Sequence, residues 1–204
     1  RRPVEWLLDE AGIDARWCLI HATHLTDAEC DALASRGAVA GLCPVTEANL
    51  GDGIFPATRY LRAGGRFGVG TDSNIAIDLA SELRALEYSQ RLRDRRRVLL
   101  AGNGQDSVGR TLFDAALAGG AQALGVTGGL SAGAPADMVS LDMTHPTLAG
   151  ADPATLLDRW IFAGRTGLID RVWRGGRLCV EGGRHVAAPT IAARYTATLE
   201  RLLA

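Results

Sequence analysis

The sequence contains no lysine: all 22 of its basic residues are arginine. Schiff-base chemistry on a lysine amine and a Walker-type phosphate loop are therefore excluded within these residues. Neither sign of charge is in excess. The net charge is −1 over 204 residues, so nothing favours nucleic acid or an anionic membrane as a partner. The four cysteines, Cys18, Cys30, Cys43 and Cys179, form no CxxC pair and no zinc-knuckle spacing. They read as free thiols of a reducing, cytoplasmic compartment. No apolar run reaches the ~20 residues that span a bilayer. There is no internal repeat and no low-complexity stretch, and no methionine or signal sequence precedes Arg1-Arg2-Pro3. The chain is expected to begin in mid-domain, in which case the missing leader says nothing of localisation.

What is present is a 47% hydrophobic content, enough for a domain with a real core. The organising stretch is Phe67-Gly68-Val69-Gly70-Thr71-Asp72-Ser73-Asn74. A short apolar run flanked by glycines reads as a buried strand ending at Asp72, and helix-like sequence follows from about Ile77. In an α/β barrel, an acid at the carboxyl end of a strand stands in the active-site mouth. An equally simple reading makes Asp72 a helix cap or a turn residue.

The rest of the chain repeats this order. A helix is expected from Pro3 to Glu10, with Pro3 in its first turn. A strand at Trp17–Ile20 leads into His21-Ala22-Thr23-His24, and Thr26 or Asp27 caps a helix that runs to Ser35 and stops at Gly37. A second strand, 38–43, is stopped by Pro44. A polar loop, Thr46–Gly53, and a short helix, Pro56–Ala63, lead to the strand before Asp72. Helices are expected over Leu79–Arg97 and over Ser107–Leu124, the latter broken near Gly119-Gly120. Three strand–helix units mean a parallel sheet with covering helices. From residue 128 the pattern changes to a strand at Asp137–Asp142, a helix at Asp152–Phe162, a hairpin through Gly175-Gly176 and a terminal helix from Thr190. The expected division is 1–127 and 128–204. The Arg93–Arg97 cluster reads as a solvated helix end, because no other basic patch supports it.

His21 and Asp72 close strands of the same type with one unit between them, which places both at one rim. Nitrogen and oxygen donors in one mouth suit a divalent metal or acid–base work, although two residues cannot complete a zinc site. On a strand, residues i and i+3 point to opposite faces. His21 is thus the inward candidate and His24 braces the loop. Read alone, His21 is also consistent with a locally satisfied, partly buried histidine. Glu47, Asn49 and Asp52 reach the same rim as possible substrate or supporting groups, or form an ordinary turn in which Gly51 and Gly53 supply positive φ. His145 and His185 read as surface residues.

His21-Ala22-Thr23-His24-Leu25, Gly70-Thr71-Asp72-Ser73 and the stretch from Gly133 to Asp142 (GAPADMVSLD) together resemble the amidohydrolase superfamily. Three further stretches resemble, within it, the formimidoylglutamate deiminase family: Thr46–Pro56 (TEANLGDGIFP), Leu86–Arg95 and Asp114–Gly125. The resemblance implies hydrolysis of N-formimidoyl-L-glutamate to N-formyl-L-glutamate and ammonia, in histidine breakdown. It implies the C-terminal part of a metal-dependent (β/α)8 TIM-type barrel, about strands six to eight, plus a small accessory β-domain. It assigns Asp72 to the one zinc ion and to taking the proton of its water. It assigns His21 to stabilising the charge that develops beside the metal.

The family's His-x-His, its strand-five His and the Glu after that His have no counterpart here, and Asn74 stands where family members often carry His. A complete barrel needs ~250 residues. The remaining ligands are expected upstream, and the 204 residues alone are expected to be inactive. The whole protein is expected to take a small-molecule substrate as a homodimer, with no nucleic-acid or membrane partner. Two other readings stay open: a related deaminase of a purine, a pyrimidine or S-adenosylhomocysteine, and a non-catalytic module with a vestigial rim.

Overall fold

The computed structural model describes residues 1–102, 107–164 and 167–204. Strand and helix alternate through its first unit, which comprises 1–128 and 151–164. The order is α1 (Pro3–Glu10), β1 (Cys18–Ile20), α2 (Asp27–Ser35), β2 (Val39–Leu42), α3 (Pro44–Leu50), α4 (Ala57–Arg62), β3 (Arg66–Val69), α5 (Leu79–Asp94), α6 (Val108–Leu124) and a single turn α7 (Leu156–Asp158). Local chemistry sets the boundaries. Pro3 and Pro44 occupy first-turn positions, where their fixed φ suits a helix and no N–H is missed. Thr26 caps α2 through a box in which Glu29 N donates to Thr26 Oγ1 at 3.2 Å and Thr26 N donates to Glu29 Oε2 at 2.7 Å. Asp78 caps α5 and Ser107 caps α6.

Four local expectations need correction. The stretch 46–53 is not all loop. It begins inside α3, because Pro44 starts a helix there and Gly51, at φ 72°, closes it. The strand before Asp72 ends at Val69. α6 runs unbroken through Gly119-Gly120. The helix expected over Asp152–Phe162 starts late, because Asp152 Oδ1 accepts the Ala154 N–H at 2.7 Å and holds a turn instead. α7 then passes into a π-helical turn, Arg159–Ala163. Arg84 of α5 supports that turn, donating to the carbonyls of Ile161 at 2.6 Å and Gly164 at 2.8 Å.

The three strands form one parallel sheet in the order β1-β2-β3. The central strand is buried along its whole length, as a parallel strand covered on both faces must be. Around it Leu33, Tyr60, Phe67, Leu83 and Leu112 are sealed from solvent. α6 lies against β3 so closely that a Cβ at Gly119 would stand 1.9 Å from the Phe67 carbonyl oxygen. This glycine is a contact surface rather than a helix breaker. At Gly120 a Cβ would meet nothing within 4 Å.

The second unit comprises 129–150 and 165–204, so 151–164 belongs with the first. It is a four-stranded antiparallel sheet, β4 (Met138–Leu141), β5 (Ile169–Arg174), β6 (Arg177–Glu181) and β7 (Arg184–His185), in sequential order. Helix α8 (Ala188–Leu203) follows. Gly175 and Gly176, at φ 55° and 75°, make the expected hairpin turn. Gly182 and Gly183, at 56° and 71°, make a second one that the sequence reading passed over. No helix among the described residues is long and apolar enough to cross a membrane.

The adjacent glycines of α6 are expected to respond with opposite signs in urea unfolding. Gly119→Ala drives a methyl into the β3 backbone and loses ~3 kcal/mol or more. Gly120→Ala, in open space on the same helix, gains ~0.5–1 kcal/mol. Equal effects at the two positions would contradict the packing described.

Candidate active-site rim

The backbone ladder runs one residue past the strands on both sides of β2. His21 N donates to the Gly41 carbonyl at 2.7 Å, and Gly70 N donates to the Leu42 carbonyl at 2.9 Å. The chain therefore leaves β1 and β3 at the same carboxyl edge. Two strand spacings separate the exits, about 10 Å. His21 follows the first exit directly and Asp72 lies two residues past Gly70 at the second, so both stand at one edge of the sheet.

The strand-parity argument for His21 does not apply, because β1 has ended at Ile20. His21 has φ 65° and Ala22 φ 46°. Ala22 N donates to the Ile20 carbonyl at 2.9 Å, a tight γ-turn centred on His21. Asp72 is also left-handed, at φ 50°. Non-glycine residues held there cost about 1–3 kcal/mol each and gather at functional sites. Three of them lie on one sheet edge.

Of the three polar residues expected at the rim from 46–53, the helix turns one inward. Asn49 and Asp52 are exposed. Glu47 is buried, its side chain 5% exposed against 38% for His21, and its Oε1 lies 3.2 Å from His21 Nδ1. The same oxygen accepts the Cys43 N–H at 2.9 Å. Beside it, Thr46 Oγ1 donates to the Thr71 carbonyl at 3.1 Å and ties α3 to the residue before Asp72. His24 is exposed, and its carbonyl accepts from the Arg2 guanidinium. Asn74 Oδ1 accepts the Ala76 N–H at 2.8 Å, a local turn after Asp72. His145 and His185, in the second unit, each accept a backbone N–H within two residues, from Thr147 and Ala187.

Sequence reasoning missed Glu82. It is sealed from solvent on α5, its Oε2 accepts the Val45 N–H at 2.9 Å, and its Oε1 has no hydrogen-bond partner among the described residues. Burial pushes its carboxyl up, the Val45 N–H opposes this, and the Glu47 and Asp78 charges add to it. Burial, with the Glu47, Asp72 and Glu82 carboxylates, also pushes the Cys43 thiol up to about 11. Cys43 is thus a buried thiol held protonated by its surroundings. All four cysteines are unpaired.

Among the described residues no three His, Cys, Asp or Glu side chains are grouped to hold a metal. The donor types nevertheless suit zinc, one imidazole and one carboxylate. Asp72 is exposed, with no hydrogen-bond or ion-pair partner for its carboxylate among the described residues. That leaves both of its oxygens available to a cation.

The sequence profile of the amidohydrolase family matches residues 2–179. The chain belongs to the amidohydrolase family. It is 52% identical, over all 204 residues, to formimidoylglutamate deiminase of Pseudomonas aeruginosa and covers 45% of that protein. The crystal structure of an amidohydrolase from Brucella melitensis superposes with a TM-score of 0.92 at 53% identity, over 100% of this chain and 45% of that one. An adenosine deaminase from Xanthomonas campestris with bound zinc superposes at 0.81 with 26% identity, over 99% of this chain and 46% of that one. This amidohydrolase chain thus spans a little under half the length of these relatives.

The raised carboxyl of Glu82 gives a pH test. Its folded-state pKa lies above the ordinary 4.5, so folding favours the protonated acid and carries the cost of the carboxylate once pH exceeds the folded value. Below 4.5 both folded and unfolded chains are protonated and the cost is gone. Glu82→Gln keeps an acceptor for Val45 N–H without the charge. It is expected to raise the urea midpoint at about pH 8, with the gain fading to nothing by about pH 4. The same gain at both pH values would show that burial of charge is not the cause.

Proposed function

We propose that these residues are the C-terminal part of a zinc-dependent (β/α)8 hydrolase that deaminates N-formimidoyl-L-glutamate to N-formyl-L-glutamate and ammonia. The observation that carries this reading is the placement of His21 and Asp72 at one carboxyl edge, flanking β2, in a chain 52% identical to a formimidoylglutamate deiminase. In it β1, β2 and β3 are barrel strands six to eight, and 128–204 contributes to an accessory β-domain. Asp72 is the ligand of one zinc ion, whose other ligands lie outside these residues. The assembled enzyme is a homodimer.

Zinc, when bound, supplies a water acidic enough to lose its proton near neutral pH. Asp72 would hold the cation through its carboxylate and accept a proton there, and His21, at the same edge, would stabilise charge as the tetrahedral carbon forms. Ammonia leaves only once its nitrogen is protonated. A group that holds a proton at this edge and returns it therefore serves both halves of the reaction.

The test is ammonia release by the full-length, zinc-loaded protein from N-formimidoyl-L-glutamate, adenosine, S-adenosylhomocysteine and cytosine. Release from the first alone is expected, with Asp72→Asn and His21→Asn each lowering kcat by ~100- to 10,000-fold. The 204 residues by themselves are expected to release none. Release from adenosine in place of the formimidoyl substrate would transfer the chain to the purine deaminases. No release from any of the four would favour a non-catalytic module.

A further inference from the structure

We infer that Glu47 is the positioning residue of His21: it takes the Nδ1 proton, fixes the tautomer of the ring and leaves Nε2 to face the reacting molecule. The inference rests on the reading above for the role of His21, and adds the group that makes His21 competent. As a carboxylate Glu47 can only accept, and its Oε1 already takes the Cys43 N–H at 2.9 Å. The His21 nitrogen 3.2 Å from the same oxygen is therefore the donor. A neutral ring that carries its proton on Nδ1 has its lone pair on Nε2, on the edge turned away from Glu47. An unconstrained neutral histidine prefers the opposite tautomer.

The fold supports this arrangement from both sides. Pro44 starts α3 directly after β2, so Glu47 is carried back over the end of β2 within its first turn. The γ-turn at His21 bends the chain where a strand would have continued. Glu47 is nearly sealed while His21 is partly open, so the buried partner orients and the exposed partner reacts.

The test uses full-length protein labelled with ¹⁵N-histidine, read by long-range ¹H–¹⁵N spectra at a pH where the ring is neutral. The His21 signal is identified by its loss in His21→Asn. Nδ1–H is expected in the wild type. It is expected also in Glu47→Gln, where the Cys43 N–H holds the amide oxygen in the same place. Glu47→Leu is expected to revert to Nε2–H and to lose ~10- to 100-fold in kcat with little change in KM. Nε2–H in the wild type overturns the inference, as does an unchanged tautomer in folded Glu47→Leu. If Glu47→Leu does not fold, the wild-type and Glu47→Gln spectra still decide, because Nε2–H in either is fatal. The tautomer is read without substrate. An Nδ1–H ring in a protein inactive on N-formimidoyl-L-glutamate would sink the substrate reading and leave this one standing.

Discussion

Hydrogen bonding of β1 and β3 to the two edges of β2 decides where His21 and Asp72 stand. Val39, Ala40 and Leu42 have no exposed surface, so β2 cannot carry an ionisable group within its length without a buried partner. Ionisable side chains are displaced to where the strands stop. The ladder bonds at His21 N and Gly70 N then set both stops at one edge. The helix that follows β2 starts between the two exits, and it brings Glu47 to one of them and Thr46 to the other.

The same constraint explains the polar row on α5. Glu82, Glu87 and Gln90 are all sealed from solvent, on a face where a covering helix would ordinarily be apolar. Each serves backbone that the sheet leaves unpaired. Glu82 takes the Val45 N–H at the start of α3. Glu87 takes those of Leu99 and Leu100 at 3.1 and 3.0 Å, and Gln90 donates to the Phe55 carbonyl at 3.0 Å. Glu87 is further paired with Arg91 at 2.6 Å. Loops that cross a core must find partners for their N–H and C=O groups, and α5 provides them from side chains. Of these three, Glu82 keeps an oxygen without a partner among the described residues, and it is the one that reaches the start of α3.

How much of this was legible in the sequence follows from the range of each interaction. His21 and Asp72 could be read because a strand ending in polar residues is a local pattern, and corresponding positions in repeated units imply one edge. Glu47 was only a member of a polar stretch. Its role depends on a helix phase set by Pro44 and on a histidine 26 residues away. Glu82 and Gln90 lie on a helix whose exposed face is equally polar, so nothing in the spacing marks which side is buried. Gly119-Gly120 read as a break because helix propensity penalises glycine. The contact with Phe67 that requires one of them is invisible from within the helix.

The left-handed residues complete the account. Three non-glycine residues in that conformation, at the ends of two short strands, cost several kcal/mol between them, a large part of a domain's net stability. They persist because each exit is tied down on its own side. The His21 exit is held by its own N–H to Gly41 and by Glu47. The Asp72 exit is held by Gly70 N–H to Leu42 and by the Thr46 hydroxyl on the Thr71 carbonyl. Both side-chain ties come from consecutive residues of α3. The two halves of the rim are therefore coupled through one turn of helix, and a change that rotates α3 moves His21 and the approach to Asp72 together.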